Sequence, residues 1–139
     1  MKIPAKVDYA CRALLQLALH WPKQEPLQIQ EIALKQQIPI KFLTHILIEL
    51  KQHGYVESTR GKNGGYFLIK NPKDITLKNV MNDFKNLELL PERGQKKSHV
   101  LSAIWKDANK VILNFTDSVT FADLCSKEKQ TQSVEMYTI

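Results

Sequence analysis

The sequence has few cysteines and no cluster of residues with the spacing of metal ligands. Its 139 residues include two cysteines, Cys11 and Cys125, and there is no C-x-x-C pair. The four histidines are also spread along the chain. Zinc fingers and secreted disulfide scaffolds both depend on such clusters, so both classes are excluded. We expect a protein of the reducing cytoplasm that has no metal site.

Long hydrophobic runs are also absent. No stretch approaches the roughly 18 apolar residues that a membrane-spanning helix requires. The chain begins with a basic and then apolar segment, as a signal peptide does, but polar residues recur there at every fourth position. They predict a solvated helix face, and they are Asp8, Arg12, Gln16 and His20. We therefore expect neither export nor membrane insertion.

The residue combinations of an enzyme active site are missing as well. The sequence shows no paired carboxylates and no nucleophile beside a base. A glycine-rich segment at residues 60–65 lacks the spacing of a phosphate-binding loop and lies between two predicted strands rather than before a helix. We do not expect an enzyme.

The composition is that of an ordinary globular protein with an excess of positive charge. Hydrophobic residues make up 43% and charged residues 24%, and the net charge is +6. Residues 1–75 contain 11 Lys and Arg against 6 Asp and Glu, a difference of +5. The length suits one domain, or a small domain with an added oligomerisation element. Residues 1–75 are therefore the part of the chain whose charge suits binding to the phosphate groups of a polyanion.

Apolar periodicity predicts three helices in the first half, over residues 5–21, 28–36 and 40–53. Gly54 suits the left-handed position that ends the third helix. Two strands follow, at residues 55–59 and 66–70. Three helices and a hairpin in this order are typical of a winged helix, which places one helix in the DNA major groove. We therefore predict a mainly α fold with a small β-hairpin.

The second half is predicted to contain a fourth helix at residues 77–85, a linker at 86–97 and a long helix from Ser98 to Phe115. The apolar stripe of the long helix predicts a dimerisation surface, with packing on the first helix of the same chain as the alternative. Its residues are Leu101, Ile104, Trp105, Ala108, Val111 and Ile112. Thr120 and Asp123 resemble a capping box for a short last helix, and residues 126–139 are expected to be a loose tail.

The predicted domain organisation follows these elements. It consists of a DNA-binding winged helix at 1–75, the fourth helix and linker at 76–97, dimerisation helices at 98–127 and a tail at 128–139.

The third helix carries the candidate residues for reading bases. Lys41, Thr44 and His45 share the face opposite the apolar stripe, and Phe42 is a candidate for contact with sugars or thymine methyl groups. Lysine bonds guanine in the major groove, and threonine bonds a base or touches a thymine methyl. The alternatives are that Lys41 and His45 are solvated surface residues and that Phe42 belongs to the core.

The hairpin tip carries a second candidate contact with DNA. Gly61, Gly64 and Gly65 tolerate positive φ, and Asn63 with Gly64 is a turn signal. Arg60 and Lys62 add positive charge, which a narrow minor groove attracts. The alternative is an ordinary surface turn.

The two cysteines are predicted to differ. Cys11 lies on the apolar face of the first helix, so we expect a buried and unreactive thiol. Cys125 is the better candidate of the two for an accessible thiol, which would allow redox sensing, although we favour a packed structural role for it.

Several motifs together resemble the IscR-like (Rrf-two) family of winged-helix regulators, which includes iron-sulfur, nitric-oxide and cysteine-metabolism repressors. The resemblance covers nearly the whole chain, and the wing motif is its most specific part. It rests on Lys6, Tyr9, Ala10, Arg12, Ala13, Leu14, Leu15, Leu17 and Ala18, on Glu31-Ile32-Ala33, on Phe42-Leu43 with Leu50 and Gly54, and on Arg60-Gly61 with Gly64-Gly65-Tyr66 and Leu68.

The resemblance implies a homodimeric transcriptional regulator, a repressor in our interpretation, that binds a partly palindromic DNA operator. It implies that Lys41, Phe42 and Thr44 contact the major groove and Arg60 the minor groove. Cluster-binding members place three cysteines in the segment that corresponds to residues 86–105, where this chain has none. We therefore expect no iron-sulfur cluster. The family also suggests a metabolic enzyme as a docking partner, so a protein-interaction module and a thiol-based sensor are the alternative functions.

Overall fold

The computed structural model describes residues 3–84 and 100–137, with side chains described as far as residue 134. Within these ranges the fold is mainly helical with one small antiparallel hairpin, as predicted. The elements in chain order are α1 (Ala5–Ala18), α2 (Ile29–Gln36), α3 (Ile40–Gln52), β1 (Val56–Thr59), β2 (Gly65–Leu68), a 3-10 turn (Pro72–Asp74), α4 (Leu77–Asp83), α5 (Val100–Ser118) and α6 (Phe121–Tyr137).

Helix α1 is the centre of the fold because α2, α3, α4 and α6 all pack against it. Its buried face includes Ala10, Ala13 and Leu14, which are fully enclosed. The helix ends at Ala18, three residues before the predicted end. The N–H groups of His20 and Trp21 bond to carbonyl groups three residues back, and these bonds tighten the chain into turns.

The connection between α2 and α3 is the turn of a helix-turn-helix. Gln37 adopts a left-handed conformation with φ 54°, and the N–H of Ile38 donates to the carbonyl of Ala33 at 3.0 Å. The Ile38 side chain is buried and anchors the turn. Helix α3 then starts after Pro39, whose missing N–H costs nothing at a helix start. The turn therefore sets the direction of α3.

Helix α3 buries its apolar stripe as predicted, with Leu43, Ile46, Leu47 and Leu50 inside the core. It ends before Gly54, which has φ 81° and is a position that only glycine adopts without strain. The N–H of the next residue, Tyr55, donates back to the carbonyl of Leu50 at 3.0 Å. Because this N–H serves the helix end, strand β1 begins one residue later than predicted.

Helices α4 and α5 pack on each other in the second half. Thr76 and Asn79 form a capping box, with the N–H of Asn79 donating to Thr76 Oγ1 at 3.1 Å and the N–H of Thr76 to Asn79 Oδ1 at 2.9 Å. The predicted N-cap of α4 is thus confirmed. Helix α5 continues to Ser118, three residues past the predicted end. The predicted linker at 86–97 and the predicted start of α5 at Ser98 lie outside the described residues.

The prediction of a loose tail from residue 126 onward was wrong, because α6 runs to Tyr137. Its start is the predicted capping box: the N–H of Asp123 donates to Thr120 Oγ1 at 3.1 Å, and the N–H of Thr120 donates to Asp123 Oδ2 at 3.0 Å. That backbone donor, followed by the Thr120 hydroxyl, lowers the pKa of Asp123. Helix α6 packs against α1 and the 3-10 turn, with Phe121 fully buried. Tertiary packing therefore supports a helix that extends well beyond the short element predicted from the sequence.

One residue of the predicted solvated face of α1 is buried. Asp8 and Arg12 do lie at the surface, where Arg12 Nη2 is 2.9 Å from Asp8 Oδ2. Gln16 is only 5% exposed, however, because it lies where α2 and α6 approach α1. Within residues 3–84 and 100–137, no helix combines the length and apolar character needed to cross a membrane.

Candidate DNA-binding surface

Helix α3 presents its predicted base-reading residues to solvent. Lys41, Thr44 and His45 are exposed on the side opposite the buried stripe. The Thr44 hydroxyl donates to the carbonyl of Ile40 at 2.9 Å, which leaves the hydroxyl oxygen free to accept a bond. Phe42 is 56% exposed, so it is not a core residue. Its ring lies beside that of Tyr9, with the centroids 6.4 Å apart.

The hairpin tip exposes Arg60 and Lys62, as predicted. Only one of the three tip glycines uses positive φ: Gly61 has φ 110°. Gly64 and Gly65 are required for a different reason, namely close approach of the backbone. A Cβ atom on Gly64 would lie 2.5 Å from the carbonyl oxygen of Thr59, and one on Gly65 would lie 2.2 Å from that of Leu27. Of the three glycines that tolerate positive φ, Gly61 alone uses that tolerance.

The hairpin of β1 and β2, which we call the wing, is hydrogen-bonded to the segment that precedes α2. This contact was not predicted from the sequence. The N–H of Leu27 donates to the carbonyl of Tyr66 at 2.8 Å, and the N–H of Tyr66 donates back at 2.9 Å. Gln28 Nε2 also donates to the carbonyl of Lys62 at 3.4 Å. A single isolated bridge leaves no periodic signal in the sequence, and Gly65 was the one available sign of it. The hairpin thus gains a third, minimal strand.

Some cations near α3 and the hairpin form ion pairs with carboxylates, and others do not. Lys6 Nζ is 2.8 Å from Glu49 Oε1, and Lys51 Nζ is 3.2 Å from Glu57 Oε1. The N–H of Ser58, followed by Lys51, lowers the pKa of Glu57. In the part of the chain that the structure describes, the predicted DNA-contacting cations Lys41, Arg60 and Lys62 are exposed and form no ion pair. Their charges are available to phosphate groups or base edges.

Helix α5 exposes large apolar side chains along one side. Val100, Val111 and Phe115 are 73%, 67% and 65% exposed, and Ile104 and Trp105 about half exposed. Of the six residues predicted for the dimerisation stripe, four are exposed: Leu101, Ile104, Trp105 and Val111. The other two, Ala108 and Ile112, are half-buried, and Ile112 packs against the core of its own chain. The stripe therefore faces two ways, partly toward its own chain and partly outward.

The two thiols differ in their exposure to solvent. Cys125 is buried in the hydrophobic core, and burial is the main cause that raises its pKa. Cys11 is the half-buried one, and burial followed by the charge of Asp8 raises its pKa to about 12. The packed structural role that we favoured for Cys125 agrees with this burial, whereas Cys11 is less enclosed than its apolar helix face predicted. A raised pKa disfavours the reactive thiolate form at both positions.

Comparison with known proteins agrees with this geometry. A family model described as "Rrf2: Iron-dependent Transcriptional regulator" matches residues 3–127. The Synechocystis protein slr0846, named as an HTH-type transcriptional regulator, is 32% identical over 140 residues, which cover 97% of this chain and 95% of that protein.

Two solved structures have the same fold. T. potens IscR has a TM-score of 0.79 and 27% sequence identity, and the match covers 95% of this chain and 91% of that chain. CymR, the global cysteine regulator of B. subtilis, has a TM-score of 0.81 and 24% identity, and the match covers 91% and 98%. These relatives are transcriptional regulators and not enzymes. The chain belongs to the Rrf2 family of winged-helix transcriptional regulators.

Proposed function

We propose that this protein is a homodimeric, sequence-specific DNA-binding repressor of the cytoplasm. The observation that carries the proposal is the set of unpaired cations on α3 and the wing. Lys41, Arg60 and Lys62 are exposed and form no ion pair within the described residues, while Lys6, Arg12 and Lys51 nearby are matched by carboxylates. Unmatched cations on a winged helix favour a polyanionic partner over an acidic surface of the same chain.

Each exposed residue has a distinct part in the proposed complex. The first turns of α3 enter the major groove, where Lys41 addresses guanine and Thr44 accepts a bond or touches a thymine methyl. His45 contacts a phosphate or base one turn along, and Phe42 packs on sugar or methyl groups. Arg60 enters the adjacent minor groove, and Lys62 contacts the phosphates beside it.

The homodimer is proposed from the outward part of the α5 stripe. Val100, Ile104, Trp105, Val111 and Phe115 are large, apolar and exposed on one helix, a combination that monomeric proteins rarely show. The same helix of a second copy offers an equally apolar surface, and twofold pairing would bury both. A twofold dimer carries two α3 helices and therefore reads a partly palindromic operator.

The proposal involves no iron-sulfur cluster, although the family description refers to iron. Such clusters are held chiefly by cysteine thiolates, and this chain has two cysteines, on α1 and α6. Both thiols are at least half-buried, and both have raised pKa values. Metal analysis and an absorption spectrum of anaerobically purified protein test this part. A stoichiometric brown chromophore would contradict it.

The central experiment is selection of bound duplexes from a random DNA library by the purified protein. We expect enrichment of a partly palindromic sequence whose affinity falls steeply as salt rises, because phosphate contacts release counterions. Repeating the selection with cell extract separates this function from an interaction module that needs a docked metabolic enzyme. Absence of enrichment under both conditions would refute the proposed function, and enrichment only with extract would favour the alternative.

A further inference from the structure

A polar cavity of about 470 Å³ lies between α1, α2 and α6, apart from the proposed DNA and dimer surfaces. Its size is within the range of small-molecule sites in proteins. Its wall is made largely of polar and charged side chains, including Gln16, His20, Lys35, Gln36, Glu128 and Lys129. The cavity exists because α6 packs on α1.

Gln16 is the residue that points to a ligand. It is 5% exposed, and its Oε1 accepts a bond from Gln36 Nε2 at 2.9 Å. Its own Nε2 group donates no hydrogen bond to any residue within 3–84 and 100–137, although it lies in the wall of the cavity. Buried amide donors are almost always satisfied in folded proteins, by protein groups, water or a ligand, so this group is suited to bond an acceptor that enters from the cavity.

The charge of the wall indicates what the acceptor is. Lys35 and Lys129 line the cavity, and neither forms an ion pair within the described residues. The one carboxylate of the wall, Glu128, accepts a hydrogen bond from Gln132 Nε2 at 3.3 Å. Two ammonium groups and an orphaned amide donor favour an anionic acceptor. We propose that this cavity binds a small carboxylate metabolite, with its carboxylate bonded to Gln16 and paired with Lys35 and Lys129.

The position of the cavity connects a ligand to α3. Gln36, which bonds to Gln16, is the last residue of α2, and its carbonyl also accepts a bond from Arg12 Nη1 at 3.4 Å. The left-handed residue Gln37 and the turn into α3 follow directly. A ligand that bonds to Gln16 therefore acts on Gln36, which lies one residue before the turn that sets the direction of the DNA-reading helix. By linkage, it changes DNA affinity, a consequence that rests on the proposed function.

The test uses the full chain labelled with nitrogen-15. Acetate, succinate and citrate are titrated separately while the side-chain amide signals of Gln16 are followed by NMR. Sodium chloride at matched ionic strength and glycerol serve as controls. We expect a saturable shift of the Gln16 side-chain signals with at least one carboxylate and none with either control. The double variant Lys35→Gln with Lys129→Gln is expected to weaken that binding at least 10-fold.

The matched control is the double variant Lys23→Gln with Lys127→Gln, which removes the same charge from exposed positions outside the cavity wall. It should bind as the wild type does. The proposal is overturned if none of the three carboxylates shifts the Gln16 signals or if both double variants respond equally. The NMR result stands whether or not the protein binds DNA. If a carboxylate binds but leaves affinity for a selected operator unchanged, the site stands and its regulatory part fails.

Discussion

The hydroxyl of Tyr55 donates a hydrogen bond to Oδ2 of Asp83, and this bond joins the chain just after α3 to the last residue of α4. Tyr55 is 1% exposed, and His53 Nδ1 lies 3.9 Å from the other oxygen of the same carboxylate. Burial, followed by the bond to Asp83, raises the pKa of Tyr55 above its ordinary value. The helix proposed to read DNA is thereby tied to the second half of the chain.

We expect Tyr55→Phe to lower the free energy of unfolding by about 1–3 kcal/mol, because it removes a hydrogen bond to a partly buried carboxylate and leaves that carboxylate without its donor. Urea unfolding at neutral pH measures the change. Asp83→Asn keeps an acceptor for the hydroxyl and should cost less. Equal stability of Tyr55→Phe and wild type would show that the bond does not contribute.

The same variant has a predicted pH dependence. The pKa of Tyr55 is higher in the folded protein than in the unfolded chain, where it is about 10. Its contribution to the free energy of unfolding is therefore complete below pH ~10 and is lost as the pH rises toward the folded-state pKa. The stability difference between wild type and Tyr55→Phe should therefore shrink at alkaline pH. A difference that stays constant up to pH ~11 would contradict the burial effect.

Arg60→Ala should weaken operator binding by about 10-fold or more while changing the free energy of unfolding by less than about 0.5 kcal/mol. The side chain is exposed and forms no ion pair within the described residues, so its loss removes a DNA contact and no internal one. Affinity is measured by titration of a selected duplex. Lys73→Ala, an exposed cation of the 3-10 turn, is the control and should bind normally. Parallel losses of affinity and stability would count against a wing contact.

Trp105→Glu should convert the proposed dimer to monomers at micromolar concentration, because it places a charge within the exposed apolar stripe of α5. Sedimentation velocity reports the change. Lys110→Gln makes the same change in charge at an exposed position outside that stripe and should leave the dimer intact. A dimer that persists in Trp105→Glu would place the interface elsewhere.

Gly65→Ala should lower the free energy of unfolding by about 1–3 kcal/mol. Its Cβ atom would lie 2.2 Å from the carbonyl oxygen of Leu27, so the wing must shift from the segment before α2. Asn63→Ala, in the exposed tip, has no such contact and should cost less than about 0.5 kcal/mol. Equal urea midpoints for the two variants would show that the close approach is easily relaxed.

Neither thiol should react appreciably with a disulfide reagent in the folded protein at pH 7.5. Burial raises the pKa of Cys11 to about 12 and also raises that of Cys125, so the reactive thiolate is scarce at both positions. The reagent DTNB should modify both thiols rapidly after unfolding in urea. Rapid modification of Cys125 in the folded state would revive the redox-sensing alternative.

Much of this fold can be predicted from the sequence because its signals are local. The stripe of Leu43, Ile46 and Leu50 follows helical spacing, and Gly54 ends that helix for a steric reason. The exposed residues of α3 then follow as the other face of the same helix. The cations of the wing were predicted from their position beside Gly61, whose φ of 110° confirms the turn.

The features that were not predicted depend on contacts between distant elements. Residues 126–137 have no apolar periodicity, and they are helical because α6 packs on α1. The same packing buries Gln16, which the local pattern assigned to a solvated helix face. The bridge between Leu27 and Tyr66 is a single pair of residues, too short to leave a pattern in the sequence.

That bridge has an evolutionary consequence. Main-chain atoms of Leu27 and Tyr66 hold the wing in place, and the carbonyl of Lys62 provides a further attachment. The position of the wing therefore does not depend on most side chains at its tip. Arg60, Lys62 and Asn63 are free to vary without loss of the architecture. Under the proposed function, a descendant of this protein can acquire a new operator preference through tip mutations alone, while the glycines that permit the backbone contacts stay under selection.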